Sequence, residues 1–150
     1  MSIAKCSSIP EVMKKNMVMV HSYDNKVMSG VLSNQWLENQ VAFHSFSEFV
    51  LMYDMWMSKI HYPEEGDRKR SLYHKDTLPY VYKMQSEELQ NNRGAIATFL
   101  IHVYYRQHSS WQGKIYWIEQ KKEQYFRSVL ELLYLMDEIL ITSNTKINDE

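Results

Sequence analysis

Of the residue types that most constrain a backbone, the chain has very few: one cysteine, four glycines and three prolines in 150 residues. Cys6 is the lone thiol, so no internal disulfide can form, which suits a reducing compartment. So few glycines and prolines argue against a barrel or sandwich with many tight turns. They also leave no material for the glycine loops that cradle phosphates or dinucleotides. No apolar run reaches the 18 or so residues a membrane helix needs. Met1–Pro10 lacks the basic start and apolar stretch of a secretory leader. The expectation is a cytoplasmic protein with no membrane association. The net charge of −1 provides no global field toward nucleic acid or anionic lipid, although a local basic patch is compatible with it.

What is present is an ordinary globular balance, 45% hydrophobic and 23% charged, with an excess of aromatics and methionine. A chain of this length buries roughly 70% of the surface it exposes when unfolded. Eleven tyrosines, four tryptophans and ten methionines are more than such a core requires. Aromatics and methionine are enriched at adaptable binding surfaces, although filling a core remains their commoner use.

Displacing the sequence by 83 positions aligns residues 17–57 with 100–140 without a gap. The matching positions are structural ones. Ser45-Phe46-Ser47-Glu48 and Ser128-Val129-Leu130-Glu131 both read S-x-x-E before an apolar periodic run, the capping-box signature of a helix start. In that motif the serine hydroxyl accepts from the third backbone N–H, and the glutamate returns to the serine N–H. Phe46, Phe49, Val50, Tyr53, Met57 and Ile60 then follow at helical spacing, as do Val129, Leu132, Leu133, Met136 and Leu140. Upstream lie strand-like segments, 17–23 and 99–105, each followed by a polar turn. Second strands over 27–32 and 111–118 share an internal glycine, Gly30 or Gly113, which suggests a bulge or a close backbone approach. Short third strands, 41–43 and 124–126, lead into the capped helices.

The expected fold class is therefore α+β: two pseudo-symmetric β-β-β-α units, with antiparallel strands and one amphipathic helix each, packed as one domain. One three-stranded sheet with one helix is a thin core, and packing two units about a pseudo-twofold axis would bury both. Residues 1–60 make the first unit with an N-terminal segment, in which Ile9–Lys15 predicts a short helix with Pro10 at its first position. Residues 61–94 form a polar connector, with an extra strand expected at Leu78–Met84 and a helical turn at Ser86–Gly94. Residues 95–150 make the second unit, ending in a polar tail, Thr142–Glu150, that is expected to fray.

The second unit carries Ser110-Trp111-Gln112-Gly113, Trp117-Ile118-Glu119, Phe126-Arg127-Ser128 and Leu135-Met136-Asp137. This series resembles a family of small uncharacterised proteins from clostridia and related Firmicutes, marked by an SWQG…W.E…FRS..EL…MD signature. The resemblance covers about 35 residues and implies a bacterial, phage or metagenomic cytosolic origin, with no activity attached. His108-x-Ser110-x-x-Gly113 also has the spacing of the turn in cyclic-di-GMP-binding PilZ domains, but with histidine where those have Asp or Asn.

Catalytic and metal-binding patterns are missing. The six histidines form no pair at zinc-ligand spacing with cysteine partners, and His102 in an apolar strand reads as a satisfied core residue. Glu64-Glu65 and Glu87-Glu88 lie in polar, solvated segments. No metal or cofactor is expected, and the chain reads as non-enzymatic, a dispersed triad being the third choice. Two features could bind something. Arg127 stands one residue before a helix cap, where unpaired N–H groups and the helix dipole favour anions. Arg68-Lys69-Arg70, with Tyr73, His74 and Lys75, could contact phosphates and stack bases.

The leading expectation is a binding or regulatory protein that acts through protein–protein contacts, its partner another protein such as a nucleoprotein effector. An inhibitor of bacterial defence carried by a phage or mobile element, like an anti-CRISPR protein, is one concrete form. The runner-up is binding of nucleic acid or a nucleotide messenger through Arg106, Arg127 and the basic loop, and a homodimer is compatible with either. Trp111, Trp117 and Arg127 stand where the first unit has Met28, Asn34 and His44. Any binding surface is therefore expected on the second unit.

Overall fold

The computed structural model describes residues 10–34, 40–72 and 95–148, with all side chains in these ranges except those of residues 12 and 146–148. The extra strand expected at Leu78–Met84, the turn at Ser86–Gly94, and Tyr73, His74 and Lys75 lie outside the described residues.

Branched, aromatic and methionine-rich runs form the strands, because such side chains fit a pleated, half-buried surface. The elements are α1 (Glu11–Lys14), β1 (Lys15–Asp24), β2 (Val27–Ser33), β3 (Val41–Phe43), α2 (Phe46–Ile60), β4 (Ala97–Tyr105), β5 (Gln112–Trp117), β6 (Lys122–Phe126) and α3 (Val129–Asn148). The strands make one antiparallel sheet in the order β3-β2-β1-β4-β5-β6. The fold class is thus α+β, with a six-stranded sheet and two long helices among the described residues.

The turns explain the hairpins. Asn25 and Lys26, between β1 and β2, both take positive φ (52° and 66°), and so do His108 and Ser109 (57° and 55°) before β5. Two consecutive left-handed residues match the twist of the flanking strands. The second loop is also laced by its own side chain: Gln112 Nε2 donates to the Gln107 carbonyl and Gln112 Oε1 accepts from the Gln107 N–H, each at 2.9 Å.

Both expected helix starts are capped. Ser45 Oγ accepts from the Glu48 N–H at 3.0 Å, and Ser128 Oγ from the Glu131 N–H at 3.1 Å. In the first cap Glu48 Oε1 meets the His44 ring at 3.3 Å, and in the second the glutamate half of the motif is displaced by one residue. Glu131 Oε1 accepts from the backbone N–H of Arg127, not of Ser128, at 2.7 Å, because the Arg127 guanidinium draws the same carboxylate outward. The expected N-terminal helix shrinks to Glu11–Lys14, with Pro10 as its extended cap residue.

The last helix, α3, continues to Asn148, into the segment expected to fray. Thr142, Ser143 and Thr145 hydroxyls each donate to the carbonyl four residues back, so these polar side chains are satisfied within the helix. Asn144 Nδ2 donates to the Tyr23 carbonyl at 2.8 Å and pins this last stretch to the sheet.

One continuous core lies between the sheet and the helices, with Val18, Val20, Phe99, Ile101 and Ile115 meeting Phe49, Tyr53, Leu132 and Met136. An aromatic series runs through it from Phe43 to Phe49, Tyr53 and Trp111, with ring centroids 5.3, 5.8 and 5.1 Å apart, the middle pair edge-to-face and the outer two tilted. The strand glycines act as expected. A Cβ on Gly30 would collide with the Met19 carbonyl, and one on Gly113 with the His102 carbonyl. Each glycine therefore permits a close approach of neighbouring strands beside a bulge, between Val20 and Ser22 or between Val103 and Tyr105.

Candidate functional site

Among the described residues, three places bear on function. The first is a buried node at the end of β4. Arg106 is 3% exposed, and a buried guanidinium must find acceptors for its fork of donors. Its Nε donates to the Pro63 carbonyl at 2.8 Å, and its Nη1 donates to Ser58 Oγ at 2.8 Å and reaches Asp54 Oδ1 at 3.4 Å. Asp54 also accepts from the Trp111 indole at 2.9 Å and from Lys69 Nζ at 2.8 Å. Lys69 in turn donates to Glu65 at 2.7 Å, and Gly66 N–H bonds the Arg106 carbonyl at 2.9 Å. Burial acts to raise the Asp54 pKa, but Lys69, Trp111 and Arg106 outweigh it and hold the carboxyl below its ordinary value. Arg106 Nε and Nη1, the Trp111 indole and Lys69 Nζ all donate within the fold, so the node ties α2, β4, β5 and the connector together.

The second place is the outer end of β1. Tyr23 donates to Asp137 of α3, which also accepts from Lys26 Nζ at 2.8 Å. Lys26 and Tyr23 together depress the Asp137 pKa. Burial, reinforced by Asp137, pushes Tyr23 up to about 12. Asp54 and Asp137 thus do one job, each fixing a helix to a strand of the other half of the chain.

The third place is open. A groove runs along β6 where α3 passes over it. One hollow of ≈ 300 Å³ is lined by Ile115, Trp117, Lys122, Gln124, Leu135 and Ile139, among others. A second, of ≈ 570 Å³, shares Gln124 and Leu135 and continues past Tyr125 and Arg127 to Tyr134. Two large side chains of its lining stand exposed, Tyr125 at 63% and Tyr134 at 68%, and Leu130 on the same helix is 61% exposed. The rim charges are mixed. Arg127 is held by Glu131 at 2.7 Å, and Glu123 by Lys114 at 3.3 Å. Bonding to the Arg127 side chain and backbone pulls Glu131 down to about 2.

The residues singled out from sequence therefore separate. Arg106 and Trp111 are buried parts of the node, and Lys69 is tied to Asp54 and Glu65. Their bonds run to other parts of the fold, because a buried arginine or tryptophan must find internal acceptors. Arg68 and Arg70 face solvent. Arg127 is exposed but already paired, which counters the idea of a bare cation at a helix start. Trp117 lines the groove. His102 is nearly buried, with Nε2 3.2 Å from the Tyr62 hydroxyl and its ring 4.1 Å from that of Tyr104; burial, helped by Lys15, lowers its pKa.

Sequence reasoning missed Tyr125, Leu130 and Tyr134. A signal for two of them was present: Leu130 and Tyr134 are apolar residues lying off the inward stripe of Val129, Leu132, Met136 and Leu140. Among the described residues no cluster of His, Cys, Asp and Glu could hold a metal ion, and no helix is long and apolar enough to cross a membrane. No protein-family model, curated protein or solved structure matches this chain.

Proposed function

We propose that this chain is a non-enzymatic binding protein that meets another protein through the β6–α3 surface of its second half. The observation that carries the reading is the exposure of Tyr125 and Tyr134 in the lining of one groove. Tyrosine supplies a large, stiff contact area at small entropic cost, and exposed apolar clusters rimmed by polar groups mark partner sites. Its paired rim charges fit a protein partner better than a polyanion.

An inhibitor of bacterial defence carried by a mobile element is the concrete form we favour, on the small scaffold and the resemblance to bacterial proteins. The test has two arms. Immobilised wild-type chain should retain a partner from a bacterial lysate that a Tyr125→Ser/Tyr134→Ser variant loses, with both proteins equally folded. Equal retention by the two would remove this surface from the reading. Expression of the chain in cells carrying an active defence system should relieve interference, and unchanged interference would exclude the inhibitor form.

A second reading rests on Arg68 and Arg70, which stand exposed two positions apart. Nucleic-acid binding through them would weaken steeply with salt and fall in an Arg68→Ala/Arg70→Ala variant. Binding indifferent to salt would exclude it.

We also read the two halves as copies related by a twofold axis through the Met17–Leu100 pair, where positions 83 apart face each other. The same offset relates the Val20–Gly30 pair to Val103–Gly113 and Gly30–Phe43 to Gly113–Phe126, and it relates the two bulges. It also relates Asp54 and Arg106 to Asp137 and Tyr23, which supports a common scaffold carrying one binding half.

A further inference from the structure

We infer that the sheet face turned away from the helices binds a nucleotide where Lys15, His102 and Lys114 stand in one row, its phosphate between the two lysines and its base on the Tyr104 ring. The inference goes beyond the protein-binding reading and stands independently of it.

The strand register builds the row. Lys15 pairs with His102, His102 with Lys114 and Lys114 with Tyr125, and residues directly opposite on neighbouring strands share a face. Their chain neighbours Ile101, Ile115 and Phe126 belong to the helix-covered core, so the row lies on the opposite face. Strands run ~4.8 Å apart, which sets the two lysine Cα atoms about 10 Å apart with His102 between them. Two long, flexible ammonium side chains can close on one phosphate across that span.

The charges leave a positive surplus. Glu11 is taken by Lys14 at 2.7 Å and Glu123 by Lys114 at 3.3 Å. Lys15 is exposed and, among the described residues, has no ionic partner. The nearly buried His102 feels this field: burial, then Lys15, Lys14 and Lys114, hold its pKa below the ordinary value against Glu11.

The rings beside the lysines select a nucleotide over a bare anion. The half-buried Tyr104 ring lies 4.1 Å from that of His102 with 34° between their planes, and among the described residues no other ring contacts it. Tyr62 holds His102 from another side, its hydroxyl 3.2 Å from Nε2. Tyr104 thus ends a short stack that a base can extend, and aromatic rings next to cations are how unpaired bases are held.

The first half offers the contrast. Met19 pairs with Val31 and Val31 with Ala42, 83 positions before His102, Lys114 and Tyr125. Uncharged side chains build the sheet there, so the scaffold itself does not require a row of cations and rings.

The probe is adenosine 5′-monophosphate, with adenosine and inorganic phosphate as its two halves, titrated to millimolar concentration into the full chain. The readout is the His102 imidazole resonance, assigned through His102→Gln. A saturable shift is expected, with the nucleotide bound more tightly than either half and more weakly as salt rises. The bound phosphate should also raise the His102 pKa. Lys15→Gln/Lys114→Gln should reduce the affinity to that of adenosine, and Tyr104→Leu to that of phosphate, while the remaining spectrum stays that of a folded protein. A short oligoadenylate separates the sources: tighter binding than the mononucleotide identifies a strand, and binding no tighter identifies a free nucleotide. Absence of a saturable shift, equal affinity for nucleotide and inorganic phosphate, or binding unchanged in these variants would overturn the inference. A chain that takes no nucleotide, yet retains the partner lost with Tyr125→Ser/Tyr134→Ser, would overturn it and leave the protein-binding reading standing.

Discussion

Asp54 on α2 accepts the indole N–H of Trp111 at 2.9 Å, bringing together residues 57 positions apart in the chain. The same carboxylate faces the buried Arg106 and Lys69, so its removal takes an acceptor from three donors. Trp111→Phe keeps most of the apolar contact and loses one hydrogen bond, an expected loss of about 1 kcal/mol. Asp54→Ala strands a buried guanidinium and should cost about 3 kcal/mol. Urea unfolding of the two variants checks the order, and equal losses would show that Asp54 matters only to the indole.

Acid should loosen the fold through Asp54 and Asp137. Both carboxyls are held below their ordinary values in the folded protein, so the unfolded chain binds their protons more readily. Their stabilisation is complete above the ordinary carboxylate pKa of about 4 and is lost as pH falls through the lower folded values. The urea midpoint should decline below about pH 4. In an Asp54→Asn/Asp137→Asn variant the decline should be shallower, from a lower starting stability.

The two strand glycines should be intolerant of a methyl group. Gly30→Ala and Gly113→Ala each drive a Cβ into a neighbouring carbonyl, and relief requires the strands to part. A loss of about 2–3 kcal/mol each is expected, read as a lowered melting temperature. Gly66→Ala is the control, since its nearest neighbour, the Arg106 carbonyl, would lie 3.3 Å away, and a much smaller change is expected there.

Tyr53 carries a hydroxyl into the middle of the core. It accepts from Asn16 Nδ2 at 2.9 Å and donates to the Ile101 carbonyl at 3.2 Å. Burial raises its pKa well above the ordinary tyrosine value, so it stays neutral throughout the physiological range. Tyr53→Phe should cost about 1–2 kcal/mol by leaving the Asn16 amide short of an acceptor. Tyr53→Phe/Asn16→Ala should then lose less than the two single variants added together.

The elements that local pattern dictates were legible. Period-2 runs, paired turns and S-x-x-E caps are short-range signals, and strands β1 to β6 and the starts of α2 and α3 lie within a few residues of where those signals put them. What depends on distant partners was not legible. Nothing near Arg106 announces that Ser58, Pro63 and Asp54 surround it, so an arginine beside a turn reads as a surface cation. The end of α3 was hidden for the same reason, because its polar residues look like a tail until Asn144 is seen on the Tyr23 carbonyl. The groove was half legible, in the apolar residues of α3 that fall off the inward stripe.

The centre of the sheet has a bearing on how the chain reaches its native state. Met17 faces Leu100, so the β1–β4 seam joins strands 83 positions apart, whereas β1–β2, β2–β3, β4–β5 and β5–β6 are sequence neighbours. Closing a loop of that length carries an entropic toll that hairpins escape, and long-range contacts of this kind slow folding. The seam should therefore zip last. In pulse-labelled hydrogen exchange, amides of the β4–β5 hairpin should gain protection before those that bridge Val18 and Phe99. Lengthening the connector should slow that final step only weakly, since the closure penalty grows with the logarithm of loop length.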